Sequence, residues 1–261
     1  MAELSINKLT KSFGGLMAVS NVSMQVNPGE LVGLIGPNGA GKTTVFNLLT
    51  GIYEPTSGDI VFKRDGRETR LNRLKPYRIS HCGIARTFQN IRLFRELSVL
   101  DNVRIAMHQN AKYSLAAGFF HLPSFAREEA RILSESLALM DIFNLSDKRD
   151  ELASNLPYGE QRRLEIVRAL ATQPSLLLLD EPAAGMNPGE TAQLTETIAQ
   201  LRDRFSLTIL LIEHDMSLVM KICERIYVMD YGSIIAEGTP DEIKTDPLVI
   251  KAYLGEDVSN A

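Results

Sequence analysis

Three short apolar runs punctuate the chain: Leu31-Val32-Gly33-Leu34-Ile35, Ser175-Leu176-Leu177-Leu178-Leu179 and Leu207-Thr208-Ile209-Leu210-Leu211-Ile212. Each is short and apolar on both faces, the pattern of a strand covered from both sides. Lys42 to Thr50 after the first run and Thr191 to Arg204 between the other two read as helices. The second helix opens on Asn187-Pro188-Gly189-Glu190, an Asn cap with proline at the first helical position and Glu at the third. Buried strands alternating with helices predict a parallel sheet of α/β class. Ile6 to Val26 alternates in stretches such as Val22-Ser23-Met24-Gln25-Val26, and Arg225 to Met229 with Ser233 to Glu237 flanks a Tyr231-Gly232 turn. These segments predict antiparallel strands in a small layer beside the main sheet. From about Arg92 to Leu170 no buried strand is legible, and Ala130, Leu133, Leu137 and Met140 recur at helical spacing within Glu128 to Met140. That stretch predicts an inserted helical subdomain, in which Tyr113 to Pro123, apolar and broken by Gly118 and Pro123, reads as a loop or short helices.

Composition narrows the class. The chain has 261 residues, 44% hydrophobic and 23% charged, ordinary globular usage and enough length for one large domain or two modest ones at roughly 150 residues each. A net charge of −4 argues against a protein held mainly by nucleic-acid phosphates. The local group Arg64, Arg67, Arg70, Arg73, Lys75 and Arg78 reads as a solvated face, with attraction to anionic lipid headgroups the alternative. Cys82 and Cys223 are too few for a disulfide framework or a cysteine zinc site, and read as buried or inert thiols. No apolar run approaches the roughly 18 residues of a membrane-spanning helix, and the N-terminus lacks a secretory signal. The expected location is the cytosol.

Gly36-Pro37-Asn38-Gly39-Ala40-Gly41-Lys42-Thr43 matches the phosphate-binding loop pattern, after a predicted strand and before a predicted helix. Glycines let successive N–H groups turn inward, and the helix N-terminus adds partial positive charge. Lys42 would meet the β- and γ-phosphates, and the Thr43 hydroxyl Mg2+. Asp180 ends the Leu176 to Leu179 strand on the edge where parallel sheets bind ligands, and reads as the magnesium-side acid. Glu181 follows and is the candidate for orienting or deprotonating the attacking water. His214 ends the third strand on the same edge, within reach of a γ-phosphate or merely packed there. The Gln89 amide is a candidate for metal or water, whereas His81, His108 and His121 read as surface or packing residues.

Together with Gly36 to Thr44, Gln89, Leu176 to Glu181 and His214, the helix opening Leu156-Pro157-Tyr158-Gly159-Glu160-Gln161-Arg162-Arg163 makes the whole chain resemble an ABC transporter ATPase. Phe13-Gly14-Gly15-Leu16, Arg86 to Glu96, Pro123-Ser124-Phe125 and Asp180 to Pro188 look like the LivG-type subunits of branched-chain amino acid importers. The resemblance implies a single cassette over 1–261: a phosphate-loop NTPase fold of α/β class with a RecA-like parallel core, a flanking antiparallel β layer and a helical subdomain over about 92–170. It implies ATP and Mg2+ as ligands, with ATP sandwiched between the phosphate loop of one chain (Gly36, Pro37, Asn38, Gly39, Ala40, Gly41, Lys42, Thr43 and Thr44) and the Tyr158, Gly159 and Glu160 helix start of another. Phe13 would stack on adenine, Thr43, Gln89 and Asp180 would hold the metal, and Glu181, Gln89 and His214 would act on the water and γ-phosphate.

The implied partners are a second ATPase subunit, LivF-like or a second copy, two membrane permease subunits and, indirectly, an extracytoplasmic amino-acid-binding protein, with no nucleic acid. The implied place is the cytoplasmic face of the inner membrane, and the implied work is import of leucine, isoleucine and valine. A groove near Gln89 to Asn102 would receive a permease helix, with Phe94, Leu97 and Val99 either contacting it or packing the helical subdomain; Leu115 to Phe125 either touches the permease or folds on its own core. Two positions depart from the ABC pattern. Pro157 stands where serine is usual and removes a hydroxyl contact, and Asn187 replaces an aspartate, capping the next helix without its charge. Both point to a weaker isolated pair that tightens on the membrane subunits. The chain ends soon after Asp246-Pro247-Leu248, so no C-terminal regulatory domain is expected. Other cargoes (urea, amides, a lipopolysaccharide-type lipid), a soluble ABC ATPase of translation or repair, and a small-molecule phosphotransferase are the alternatives.

Overall fold

The computed structural model describes residues 3–254; the expectation about the chain end falls on residues 255–261, outside the described ones. The elements follow in the order β1 (Leu4–Phe13), β2 (Leu16–Val26), β3 (Leu31–Ile35), α1 (Lys42–Leu49), β4 (Ser57–Arg64), β5 (Arg67–Arg70), α2 (Pro76–Cys82), β6 (Ile84–Arg86), α3 (Val99–Met107), α4 (Leu115–Phe119), α5 (Pro123–Ile142) and α6 (Tyr158–Ala171). They continue through β7 (Leu176–Asp180), α7 (Pro188–Phe205), β8 (Thr208–Ile212), α8 (Met216–Ile222), β9 (Arg225–Asp230), β10 (Ser233–Gly238), α9 (Pro240–Thr245) and α10 (Pro247–Leu254).

The main sheet runs β10-β9-β3-β8-β7-β6, parallel from β9 to β6 with β10 antiparallel at the edge. The uniformly apolar strands follow from its two covered faces. Leu177, Leu179, Ile209 and Leu211 turn toward one core shared with α3, α5, α6 and α7. Leu176, Leu178, Leu210 and Ile212 turn toward a second core beneath α1 and the antiparallel strands, as the two-residue side-chain period of a strand requires.

The second sheet, β2-β1-β4-β5, is antiparallel. Two expectations change here. β9 and β10 belong to the main sheet, because the apolar run Ile226 to Met229 pairs in parallel with β3. The flanking layer is completed instead by β4 and β5. Strands β5 and β6 carry too few apolar residues to stand out in sequence; pairing to β4 and β7 makes them strands.

Between β6 and β7 lie the predicted helices, but the buried stripe of α5 is Ile132, Ser136, Leu139 and Met140. Ala130 and Leu133 are exposed and Leu137 half-buried, so the expected stripe shared only Met140 with the real one. Helix α5 starts at Pro123, and α4 supplies the short helix of the preceding apolar stretch. Val99 is fully buried among α3 core residues and is not a surface contact; Phe94 is exposed and Leu97 half-buried.

Candidate active site

Four parallel strands deliver the site from one edge of the sheet. The chain leaves β3 into the phosphate loop, β6 toward Gln89, β7 into Asp180-Glu181 and β8 into Glu213-His214.

In the loop, Gly36 has φ +146° and Gly41 φ +104°. A Cβ on Gly36 would collide with the Met229 carbonyl, and one on Gly41 would lie 2.5 Å from the Ala18 oxygen, so both glycines are required by backbone approach. Gly41 caps α1 without a side chain, leaving first-turn N–H groups for an anion. Pro37, Asn38 and Gly39 form the open side of the loop, Ala40 is buried, Thr43 is exposed and Thr44 half-buried at the helix start. Lys42 is 8% exposed and donates to the Gly36 and Pro37 carbonyls at 2.6 and 2.9 Å. Burial lowers its pKa, opposed by the carboxylates of Glu181 and Asp180. Its charge is thereby held at the loop, facing two acids.

Asp180 is 1% exposed. Its Oδ2 accepts from Arg86 at 2.6 Å, while Oδ1 is buried with no hydrogen-bond partner among the described residues. Burial pushes its pKa up, and Arg86 pulls it back. A buried oxygen with no donor, on the edge shared with the Thr43 hydroxyl, fits a divalent cation. Arg86 also donates to Asn47 Oδ1 at 2.7 Å, and its guanidinium carbon lies 5.5 and 5.1 Å from the ring centroids of Phe46 and Phe88.

Glu181 has φ +48°, a left-handed conformation that non-glycine residues hold only when the surroundings impose it. Its N–H donates to the Ile212 carbonyl at 2.9 Å, and its Oε2 accepts from Gln89 Nε2 at 2.9 Å. His214 Nδ1 lies 3.8 Å from the same oxygen and from Glu213 Oε2, with its side chain 64% exposed. Glu213, 1% exposed, accepts from Ala183 N at 2.8 Å and so ties the turn after Glu181 to the end of β8. Gln89, Glu181 and His214 are thus brought together at the strand ends.

Phe13 is exposed at the end of β1, with the Tyr53 ring edge-on at 5.1 Å and Lys11 Nζ 4.9 Å above it. Tyr158, Gly159 and Glu160 open α6 elsewhere, against the segment before α7. A Cβ on Gly185 would come within 2.9 Å of the Tyr158 ring, and one on Gly159 within 2.8 Å of Glu190 Oε1. Glu160 is engaged by Lys148 at 2.5 Å and Arg163 at 3.6 Å. Pro157 caps α6 with no side-chain bond, and Asn187 caps α7 in a complete capping box with Glu190.

Arg86, Glu213, Arg162 and Glu165 also belong to the site, and no sequence motif marks their roles. The last two are buried on α6 and bind the backbone around Gln89. Their only local signal was charge inside an otherwise apolar helix face.

A phosphate loop, two acids at a parallel strand end and a polar group on each neighbouring strand define a nucleotide-hydrolysing cassette. The ABC transporter family profile matches residues 19–184, and a profile described as branched-chain amino acid ATP-binding cassette transporter matches residues 233–259. The high-affinity branched-chain amino acid transport ATP-binding protein LivG of Escherichia coli (strain K12) is 51% identical, over 97% of this chain and 98% of that protein. BraF of Pseudomonas aeruginosa, of the same description, is 47% identical over the same shares. A crystal structure of an ABC transporter cassette in its ADP conformation superposes with a TM-score of 0.81 at 31% identity, covering 98% of this chain and 100% of that one. The chain belongs to the ABC transporter ATP-binding family. It is a nucleotide-binding ABC ATPase, and its sequence likeness is to the LivG group within that family.

Proposed function

We propose that the chain is the ATP-hydrolysing subunit of an importer for leucine, isoleucine and valine. The observation that carries the enzymatic half is the Gln89–Glu181 hydrogen bond of 2.9 Å beside His214 and the phosphate loop. Support for the cargo comes from LivG and BraF, high-affinity branched-chain amino acid transport ATP-binding proteins, and from the branched-chain profile over residues 233–259.

Residues 36–44 and Lys42 in particular hold the triphosphate, and Phe13 with Tyr53 offers the base an aromatic wall. Thr43, Asp180 and Gln89 are the groups suited to Mg2+, which when bound screens the phosphate oxygens. Glu181 accepts the proton of a water attacking the γ-phosphorus, Gln89 fixes that carboxylate, and His214 reaches the γ-phosphate side. Phosphoryl transfer asks chiefly for such positioning and charge stabilisation.

Tyr158 and Gly159, with Glu160 supporting the helix start, serve the nucleotide of a second cassette, a LivF-like subunit or another copy, in a head-to-tail pair. The whole of 1–261 acts as one cassette, with 92–170 as its helical subdomain. A permease helix docks in the groove near Gln89 to Asn102, whose wall includes Phe88, Arg92, Ile105 and Ala106; the pair of cassettes thereby serves two permease subunits, to which an extracytoplasmic binding protein delivers cargo. Among the described residues no helix is long and apolar enough to cross a membrane; peripheral attachment at the cytoplasmic face, through the permease subunits, follows from the likeness to transport ATP-binding proteins.

The test is affinity capture from detergent-solubilised membranes, followed by reconstitution of the captured complex in liposomes. ATP-dependent accumulation of leucine, abolished by Glu181→Gln, is the expected result. Accumulation of urea, an amide or a lipid instead, or capture of ribosomes without permease, would overturn it.

A further inference from the structure

The segment from Thr87 to Leu93 joins β6 to the helical layer without regular structure, yet backbone groups of Phe88, Gln89 and Arg92 are held by one helix. Arg162 Nη1 donates to the Phe88 carbonyl at 2.7 Å, and Nη2 donates to the Gln89 carbonyl. Glu165 Oε1 accepts from Phe88 N at 3.3 Å and from Arg92 N at 3.2 Å. The two side chains are 2% and 6% exposed and lie 3.4 Å apart, one turn apart on α6. Burying such a pair is costly, and an apolar pair of similar size would pack at least as well. What an apolar pair lacks is two donors in a planar fork and an acceptor that together fix a loop.

The same Arg162 donates from Nε to the Tyr158 hydroxyl at 3.2 Å. A continuous set of contacts therefore runs from Tyr158 through Arg162 to the backbone of Gln89, and from the Gln89 amide to Glu181.

We propose that Arg162 and Glu165 form a clasp that positions Gln89 against Glu181, and that the clasp links the α6 start, where a second cassette's nucleotide is received, to the water-orienting acid of the same chain. Arg162 and Glu165 are positioning residues: they touch the backbone of the loop and act through Gln89. The inference rests on the site reading above, in which Gln89 and Glu181 serve hydrolysis.

Hydrogen exchange on the full chain tests the clasp without relying on turnover. Arg162→Ala and Glu165→Ala should speed exchange of the Phe88 and Arg92 amides about tenfold or more, the equivalent of one lost hydrogen bond, with β7 amides unchanged. Glu165→Gln keeps an acceptor oxygen and should restore protection, whereas Arg162→Lys, a single point donor, should restore it only in part; these milder variants also serve if the alanine forms fold poorly. In ATP hydrolysis Arg162→Ala should lower kcat by about 10²-fold, the scale of a small misplacement, at unchanged KM. The double variant with Gln89→Ala should lose no more than Gln89→Ala alone. Unchanged exchange at Phe88 and Arg92, or losses that multiply in the double variant, would overturn the clasp while leaving the site reading intact. Full turnover in Gln89→Ala by itself would overturn the site reading instead.

Discussion

Gln89 and Glu181 stand 92 positions apart in the chain, and the amide of one donates to the carboxylate of the other at 2.9 Å. The contact exists because β6 and β7 are parallel neighbours that end on the same edge, so each delivers its next residues to one place. Glu181→Gln should therefore lower ATP turnover by about 10² to 10⁴, the usual cost of losing a general base, while nucleotide affinity stays within a factor of a few. Equilibrium binding of a fluorescent ATP analogue beside steady-state phosphate release makes the comparison.

Arg86 and Asp180 form an ion pair with side chains 5% and 1% exposed. Removing the arginine strands a buried carboxylate, which costs about 3–5 kcal/mol. Arg86→Ala should show that loss in denaturant unfolding of the full chain. Asp180→Asn with Arg86→Met, which removes both charges, should recover much of it, and a double variant as unstable as Arg86→Ala would contradict the pairing.

Gly185 carries φ +77° and has the Tyr158 ring against the place a Cβ would take. Strain of this kind costs about 1–3 kcal/mol, and relief requires the ring at the start of α6 to move. Gly185→Ala should impair the ATPase of the assembled transporter more than nucleotide binding by the single chain. Equal loss in both measurements would mean that the substitution acts by general unfolding.

The two thiols should separate by reactivity. Cys223 is 6% exposed, and burial pushes its pKa up to about 12, so the thiolate that reacts is scarce near neutral pH. Cys82 is half-buried. At pH 8 a thiol reagent should modify Cys82 in the folded chain and both residues in denaturant; rapid folded-state modification of Cys223 would contradict the packing of α8 against β3.

The parallel core was legible because Leu31–Ile35, Leu176–Leu179 and Ile209–Ile212 are apolar on both faces, a local signal of two-sided burial. The phosphate loop, Asp180, Glu181 and His214 were legible because a motif or a strand end fixes each of them. β5, with sequence Arg67-Glu68-Thr69-Arg70, was not, since its strand conformation comes from pairing with β4. The α5 stripe differs from the apolar pattern because Ser136 occupies a core position, bonded to Met107 Sδ at 3.3 Å, while apolar Leu133 is 40% exposed. Arg86, Arg162 and Glu165 are not legible in sequence, because buried charges are defined by distant partners, which a linear pattern does not display. Assignment of β9 and β10 to the main sheet was likewise a question of pairing, which alternation along a hairpin leaves open.

In the proposed pair each ATP is held by two cassettes, with the α6 start of this chain closing on nucleotide bound elsewhere. The most direct measurement is the structure of the intact transporter carrying Glu181→Gln and trapped with ATP and Mg2+. The Gly159 nitrogen of this chain should lie at hydrogen-bonding distance, about 2.7–3.2 Å, from a γ-phosphate oxygen of an ATP seated on the opposing cassette's phosphate loop. A trapped structure in which Tyr158 and Gly159 face solvent, with ATP gripped by one chain alone, would contradict it.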